Sequence, residues 1–519
     1  MKRFQDFFAK PYVLLAISAL CAALPLTVPS LFLLSWVAFV PFFLVMLRLQ
    51  EKRKFRRALA QGVFFGFLYH AFVYFWFLWL YPLDFAGLDG AASVAVVLLA
   101  WLGISLLHGA LFAIPTLLCS LVSGKIRSRS FLLLTAIVGI LLAEWIPTLS
   151  ALAFPWVRLS LGHYKAPVMI QFASVFGIYG VDFLLLAFAA LLTLALTSAR
   201  KKQKLALFLG ALILFTSNLL FGILRLSTVE EGESITVSSV QGCVLSGEKW
   251  SGQSTLDTFV NLSREASDCD LILWPESAIP VNLASYPELL EEYRALSAEL
   301  DTPIMMGCFW KIDGQTSNSV ILVDRDSVSD VYSKRHLVPF GEKMPYRPLL
   351  SRLLPVLEEI NMLSSDLAEG EESVVIESEQ GSLGSIICFE SLFPELVRQS
   401  VKDGAGMIVL VTNDSWYKDS PGVWQHLAHA VFRSVENSRS TARCANSGVS
   451  AFIDSRGRLK SILGPLEKGV LTDTVSFSEE RTVYTILGDV LLPCLVALWL
   501  MLAGLLSLGE RRKKIVRQK

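Results

Sequence analysis

Residues 384–395 read GSIICFESLFPE. Two apolar residues, Ile386 and Ile387, run straight into Cys388, and Pro394 marks the first turn of a helix over "LFPELVRQSVKDG". A strand that stops at a thiol and hands over to a helix is an α/β arrangement. In such sheets, chemistry gathers at the carboxyl ends of the strands. The same alternation recurs on both sides. "SITVSSVQG", "CDLILWPE", "TPIMMGCFW", "TSNSVILVD", "VYSKRHLV", "GMIVLVTND", "STARCANSG" and "GVSAFID" read as strands; "SGQSTLDTFVNLSREA", "YPELLEEYRALSAEL" and "GVWQHLAHAVFRSVENS" read as helices. Residues 341–380, rich in Pro and Glu, read as a long loop. Composition leaves Cys388 open as a small core residue or a nucleophile.

Working outward from this region, the flanks change character. Mean hydropathy over the chain is +0.53 with 53% hydrophobic residues, too apolar for a soluble chain of 519 residues. Apolar runs lie at about 12–28, 31–49, 61–81, 91–121, 131–149, 167–197, 204–224 and 484–508, and most reach the roughly 20 residues that cross a bilayer. The fourth and sixth are longer than a crossing needs. The first competes with a signal peptide, but no small-x-small cleavage pattern follows it and a second run begins at once. These runs predict a polytopic helical membrane domain of about eight spans.

Loop charge then orients the chain. Alternate loops, starting from the N-terminus and ending with the tail "GERRKKIVRQK", hold 22 Lys and Arg, whereas the intervening short loops hold only Arg158 and Lys165. The asymmetry predicts an inside N-terminus and tail, and an outside segment 227–482. The expected division is therefore 1–226 as seven spans, 227–482 as an extracytoplasmic α/β domain, and 483–519 as the eighth span and basic tail. The outside segment carries 38 acidic against 21 basic side chains. A charge of that sign disfavours nucleic acid and other polyanions. No zinc-like CxxC pair, phosphate loop or dinucleotide glycine motif is present. Five cysteines fall in this segment, an odd number, so at least one stays unpaired.

Three strand ends there deliver polar groups: Glu276 after "LILWP", Lys334 in "VYSKRHLV", and Cys388. A thiol needs a base and acyl transfer needs positive charge at the developing oxyanion. Glu276 supplies the first and Lys334 the second, and Lys334 is expected to lower the thiol pKa. The backbone N–H of Phe389 offers a second donor. Singly, Glu276 is as well explained as the cap of a turn and Lys334 as a solvated basic residue beside Arg335 and His336. His426 and His429, three apart, offer a rival metal or Cys–His site, although "WQHLAHAVF" reads as an amphipathic helix with polar surface positions.

The order Glu, Lys, Cys resembles the nitrilase (carbon–nitrogen hydrolase) superfamily. "WPESAIP", "KRHLVPFGEKMPYR", "ICFESLFPE", "TNDSWYKDSPGVWQHL" and "CANSGVSAFID" are similar to the apolipoprotein N-acyltransferase family in particular. "EWIPTLSALAFPW" (144–156) and "VFGIYGVDFLL" (175–185) extend the likeness into the membrane half. The resemblance implies an α-β-β-α sandwich with Glu276 as general base, Lys334 as oxyanion lysine and Cys388 as nucleophile. Trp250, Glu342 and Glu390 match further residues the family needs. The family often has Tyr after the nucleophile, where this chain has Phe389. The implied reaction moves an acyl chain from a membrane phospholipid through a Cys388 thioester to the α-amino group of a diacylglyceryl-cysteine lipoprotein, without cofactor. The implied location is the bacterial inner membrane with the catalytic domain outside. A membrane-anchored amidase using the same three residues, or a lipid-binding protein with an inactive domain of this fold, are the alternatives.

Overall fold

The computed structural model describes residues 10–49, 55–83, 87–88, 90–228, 232–244, 253–266, 268–353 and 366–518. Among these, seven helical segments are long and apolar enough to cross a membrane: Pro29–Arg48, Phe55–Leu80, Gly90–Ser123, Arg129–Thr148, Ala173–Thr197, Lys201–Ser227 and Leu491–Glu510. The remaining apolar run forms the shorter helix Pro11–Thr27. The fourth run is divided between Gly90–Leu111 and Ala113–Ser123, with Pro115 just inside the second piece. The sixth starts as the turn Pro167–Ile170 and then bends at Gly177. Gly177 has φ +66°, and a Cβ there would lie 2.6 Å from the Tyr484 ring, so this kink needs glycine. Close helix crossings also depend on missing side chains: a Cβ on Gly66 would lie 2.2 Å from the Gly109 carbonyl oxygen.

The segment between the last two spans builds two sheets. The first contains β1 (Ser234–Gln241), β2 (Leu271–Leu273), β3 (Ile279–Asn282), β4 (Ile304–Ile312), β5 (Gln315–Val323), β6 (Tyr332–Ser333) and β13 (Gly469–Ser476), ordered β13-β1-β2-β4-β5-β6 with β3 also on β4. The second contains β7 (Val375–Ser378), β8 (Gly381–Ile387), β9 (Met407–Thr412), β10 (Thr441–Ala445), β11 (Ser450–Ile453) and β12 (Leu459–Leu463), ordered β12-β11-β10-β9-β8-β7. Strands β1, β2 and β4 run parallel, as do β8, β9 and β10. Antiparallel strands flank each set. Part of the expected loop 341–380 is thus ordered, as the helix Arg347–Leu353 and strand β7.

Side-chain alternation stacks the layers. On β9, Met407, Val409 and Val411 point into a core shared with Leu271, Leu273 and Met305 of the first sheet, whereas Ile408 and Leu410 point away. The outer face of the first sheet is covered by Gln253–Glu265 and Pro287–Leu300, whose Phe259, Leu262, Tyr293 and Leu296 fill a third core. The outer face of the second is covered by Pro394–Lys402 and Pro421–Asn437. This gives the expected α-β-β-α sandwich.

The two outer layers differ in what lies beyond them. The core around Ile386, Ile408, Leu410, Val423, Leu427 and Val431 continues without a break into Trp76, Trp156, Leu161, Ile178 and the membrane helices. Pro421–Asn437 is consequently buried nearly all round, including Gln425, His426, His429, Arg433, Glu436 and Asn437. The amphipathic reading of that helix is therefore overturned. Its polar positions face polar groups of the membrane half: Gln425 accepts a hydrogen bond from Trp156 Nε1 at 2.7 Å, His429 Nε2 lies 3.1 Å from the Trp156 carbonyl, and Glu436 accepts from Ile178 N at 2.8 Å.

Candidate active site

Cys388 stands at the first residue after β8, where the chain turns into the 3₁₀ segment Cys388–Leu392. Its φ of +52° is left-handed, a conformation that costs a non-glycine residue and is held by its surroundings. Glu390 does much of the holding. Fully buried, its Oε2 accepts from Ile387 N and from Tyr332 Oη, both at 2.8 Å, and its Oε1 accepts from Arg335 N at 2.7 Å. One carboxylate thus ties the cysteine turn to the residue next to Lys334. The sequence match of Glu390 acquires a physical reason.

Lys334 follows β6 directly and is fully buried. Its Nζ donates to Glu276 Oε1 and to Glu342 Oε1, each at 2.9 Å. Asn318 on β5 donates to the same two oxygens, at 2.7 and 2.8 Å. Glu276, in the turn after β2, accepts from Asn413 N at 2.8 Å through its other oxygen. Burial alone would lower the Lys334 pKa, but Glu276 and Glu342 outweigh it and hold the ammonium well above its usual range. Lys334 is therefore a fixed positive charge.

The thiol behaves differently from expectation. Burial pushes Cys388 well above the usual thiol range, and the Glu276 charge pushes the same way; the pull of Lys334 and the Thr412 side-chain hydrogen bond only offset these. Lys334 lowers the pKa as predicted, but it does not win. The resting group is a protonated thiol, and a thiol acting as nucleophile from that state would need a base.

Sequence reasoning missed the other side of the pocket. Asp414, two residues beyond β9, receives His426 Nδ1 at 2.8 Å, Arg443 Nη2 at 2.8 Å and Thr412 Oγ1 at 2.9 Å, and all four residues are buried. Burial alone would raise this carboxyl, but Arg443 and His426 pull it well below the carboxylate range. Ligand atoms of Cys388, Asp414 and His426 lie within 4.8 Å of one another. His429 does not join them, since it faces Trp156. The proposed His426–His429 pair is thus split. A polar "TND" closing an apolar strand was the available signal for Asp414.

The membrane half roofs the site with aromatic rings. Phe154 stacks on Phe389 at 5.7 Å, Trp156 lies 5.7 Å from His426 and 5.3 Å from Tyr417, and Trp76 lies 4.9 Å from Tyr417. Trp250 lies outside the described residues.

Comparison with known proteins follows this division of the chain. Residues 236–484 match the carbon-nitrogen hydrolase family and residues 18–191 match the apolipoprotein N-acyltransferase N-terminal domain. An apolipoprotein N-acyltransferase of Geobacter metallireducens is 30% identical over 540 aligned positions, covering 99% of both chains. The chain belongs to the apolipoprotein N-acyltransferase family. Relatives of the same name from Allorhizobium ampelinum and Shewanella oneidensis are 31% and 29% identical over 82% and 78% of this chain, and 81% and 79% of theirs. Among solved structures, a branch 10 nitrilase-superfamily protein of Saccharomyces cerevisiae covers 48% of this chain and 92% of its own, with 18% identity and a TM-score of 0.37. The multi-pass helices and the family together make this a bacterial inner-membrane protein of the acyltransferase class.

Proposed function

We propose that the protein transfers a fatty acyl chain from a membrane phospholipid to the α-amino group of an N-terminal diacylglyceryl-cysteine, through a thioester on Cys388. The observation that carries this reading is the burial of Cys388 between the Glu276–Lys334–Glu342 cluster and a roof of membrane-half aromatics. A soluble amidase would have no use for the roof. In the first half-reaction Glu276 takes the Cys388 proton as sulfur attacks the ester carbonyl. The oxyanion forms against Lys334 Nζ and the Phe389 N–H, and the lysophospholipid alkoxide leaves with the proton from Glu276. In the second, the neutral amine attacks the thioester, Glu276 takes its proton, and Cys388 leaves as thiolate and is reprotonated. Glu342 shares Lys334 with Glu276 and so holds its position, and Glu390 holds the turn. Dry aromatic surroundings favour a thioester that waits for an amine over one lost to water.

Loop charge supports placing residues 227–482 on the periplasmic face, where both lipid substrates present their headgroups, with 1–226 and 483–519 as the membrane-spanning parts. The test is mass spectrometry of the purified full chain with phospholipid alone. One fatty acyl mass should appear on the Cys388 peptide, be released by neutral hydroxylamine, and be discharged by a diacylglyceryl-cysteine peptide that becomes N-acylated. Free fatty acid released rapidly, with no persistent adduct, would favour the amidase-like hydrolase.

A further inference from the structure

Arg158 is one of two basic residues in the intervening short loops, yet it is buried, with 2% of its surface exposed. It ends the stretch 153–158, which has no regular secondary structure and carries two rings of the roof, Phe154 and Trp156. Without a ladder of backbone bonds, such a stretch must be held by side chains. Arg158 Nη1 donates to the Glu144 carbonyl oxygen, in the last turn of the helix Arg129–Trp145. Its Nη2 donates to Tyr179 Oη at 2.8 Å, and the guanidinium lies 4.5 Å over the Tyr179 ring. Two residues on, Ser160 N donates to Asp182 Oδ1 at 2.8 Å. Tyr179 and Asp182 both belong to the helix Ala173–Thr197. The roof is thus pinned from the membrane side by Arg158 and from the sandwich side by Gln425 and His429. We propose that Arg158 is a positioning residue that keeps the roof closed over Cys388, and so sets how much thioester is lost to water rather than passed to the amine. The proposal rests on the thioester reading above.

The rings carry the anchor to the site. Phe154 and Trp156 stack on each other at 5.4 Å with an interplanar angle of 7°. Phe154 in turn covers Phe389, the residue after the nucleophile, and Trp156 packs on Tyr417. Hydrolysis of the thioester adds water to the acyl carbon, breaks the C–S bond, and returns the sulfur as thiol with a free fatty acid. Rings packed over the site keep that water out. A neutral residue at 158 would leave the Glu144 carbonyl and the Tyr179 hydroxyl short of a donor. It would also remove a cation on which Glu144, Asp182 and Asp489 all act. Both anchors sit on packed helices, so the part that gives way is the irregular stretch with its two rings. Lysine is no equivalent, because only the planar guanidinium reaches two acceptors at once.

The measurement is the lifetime of the Cys388 adduct in the full chain. The purified protein is acylated with phospholipid in detergent, the donor is removed, and decay is followed by intact mass, with and without a diacylglyceryl-cysteine peptide. Each rate is counted per adduct, so it does not depend on the fraction of protein that folded. In Arg158→Gln, loss to water should be roughly 10-fold faster than in wild-type, while discharge by saturating peptide changes by less than about 3-fold. Arg158→Lys should fall between the two. If Arg158→Gln fails to fold, Tyr179→Phe removes one acceptor and keeps the ring, and should shorten the lifetime about 3-fold. A wild-type lifetime in the folded variants, even with lowered thermal stability, would overturn the proposal and leave Arg158 a packing residue. Equal acceleration with water and with amine would overturn it too, since the roof would then not discriminate between them. If wild-type forms no persistent adduct on Cys388, the thioester reading itself fails. If it forms one whose lifetime ignores Arg158, only this inference fails.

Discussion

The two helical layers of the sandwich start from similar sequence patterns and end in opposite environments. On the first sheet, Arg264 and Glu299 pair at 2.8 Å with each side chain about half exposed. On the second, Arg433 and Glu436 pair at the same distance with exposures of 2% and 0%. The first pair stands in water, where solvent screens it and it contributes little. The second is enclosed by the membrane half, and removing one partner strands a charge, at a cost of about 3–5 kcal/mol. Polar residues at helical spacing thus describe a helix but not its surroundings. What differs is whether another part of the chain supplies the second face.

The sharpest separation is between chemistry and scaffold. Lys334→Met should lower acyl transfer by about 10²–10³-fold or more while the protein stays inserted, because it removes the oxyanion charge. Near wild-type turnover would detach the first sheet from the reaction. Two tryptophans then test the layers directly. Trp156 and Trp274 are both fully buried, each with its indole N–H bonded, to Gln425 and to Ser263. Replacing either by Ala should cost about 3–5 kcal/mol in thermal unfolding. Only Trp156→Ala should also reduce adduct formation per folded molecule, and equal effects on activity would erase the proposed asymmetry. Arg433→Ala against Arg264→Ala should show the ion-pair difference, about 3–5 kcal/mol in thermal unfolding for the first and no resolvable change for the second.

Because the Cys388 pKa lies above the usual thiol range, a smaller fraction is thiolate at pH 8 than in a free cysteine. Alkylation of Cys388 by iodoacetamide should therefore be slower than that of free thiol at pH 8, and should climb without a plateau to about pH 9. A plateau near neutral pH would mean that Lys334 outweighs burial. The smallest effect is expected at Phe389, buried against Phe154 and Phe393. Phe389→Tyr should leave transfer within about 3-fold and cost no more than about 2 kcal/mol, the price of an imperfectly paired hydroxyl.

Much of this was legible because strands and spans announce themselves through apolar periodicity. Glu276, Lys334 and Cys388 each close such a run, and the structure brings all three to one pocket. The sandwich strands β3, β7, β12 and β13 escaped because they are short or carry exposed polar residues, as in "LKSIL" and "GVLTDTVS". Asn318 and Arg443 lie inside strands that read only as structural. His426 was visible but misread, since a surface helix and a helix buried by hydrogen-bonded polar neighbours share one pattern. No local pattern records that Trp156, 270 positions away, packs against it.

The pairing of β1 with β13 joins Ser234 to Ser476, and Phe477 N donates to Glu233 O at 2.8 Å. The beginning and end of the sandwich therefore lie side by side, with Glu480 bonded to Arg225 at the foot of the preceding helix. Seen as an object that a ribosome must produce, the sandwich is a closed parcel spliced between the helices Lys201–Ser227 and Leu491–Gln518. Its first strand waits, one edge open, until more than two hundred further residues have been made. A chain interrupted before residue 469 leaves that edge without its partner strand. The helix Leu491–Gln518 can enter the bilayer only after the whole parcel has been made.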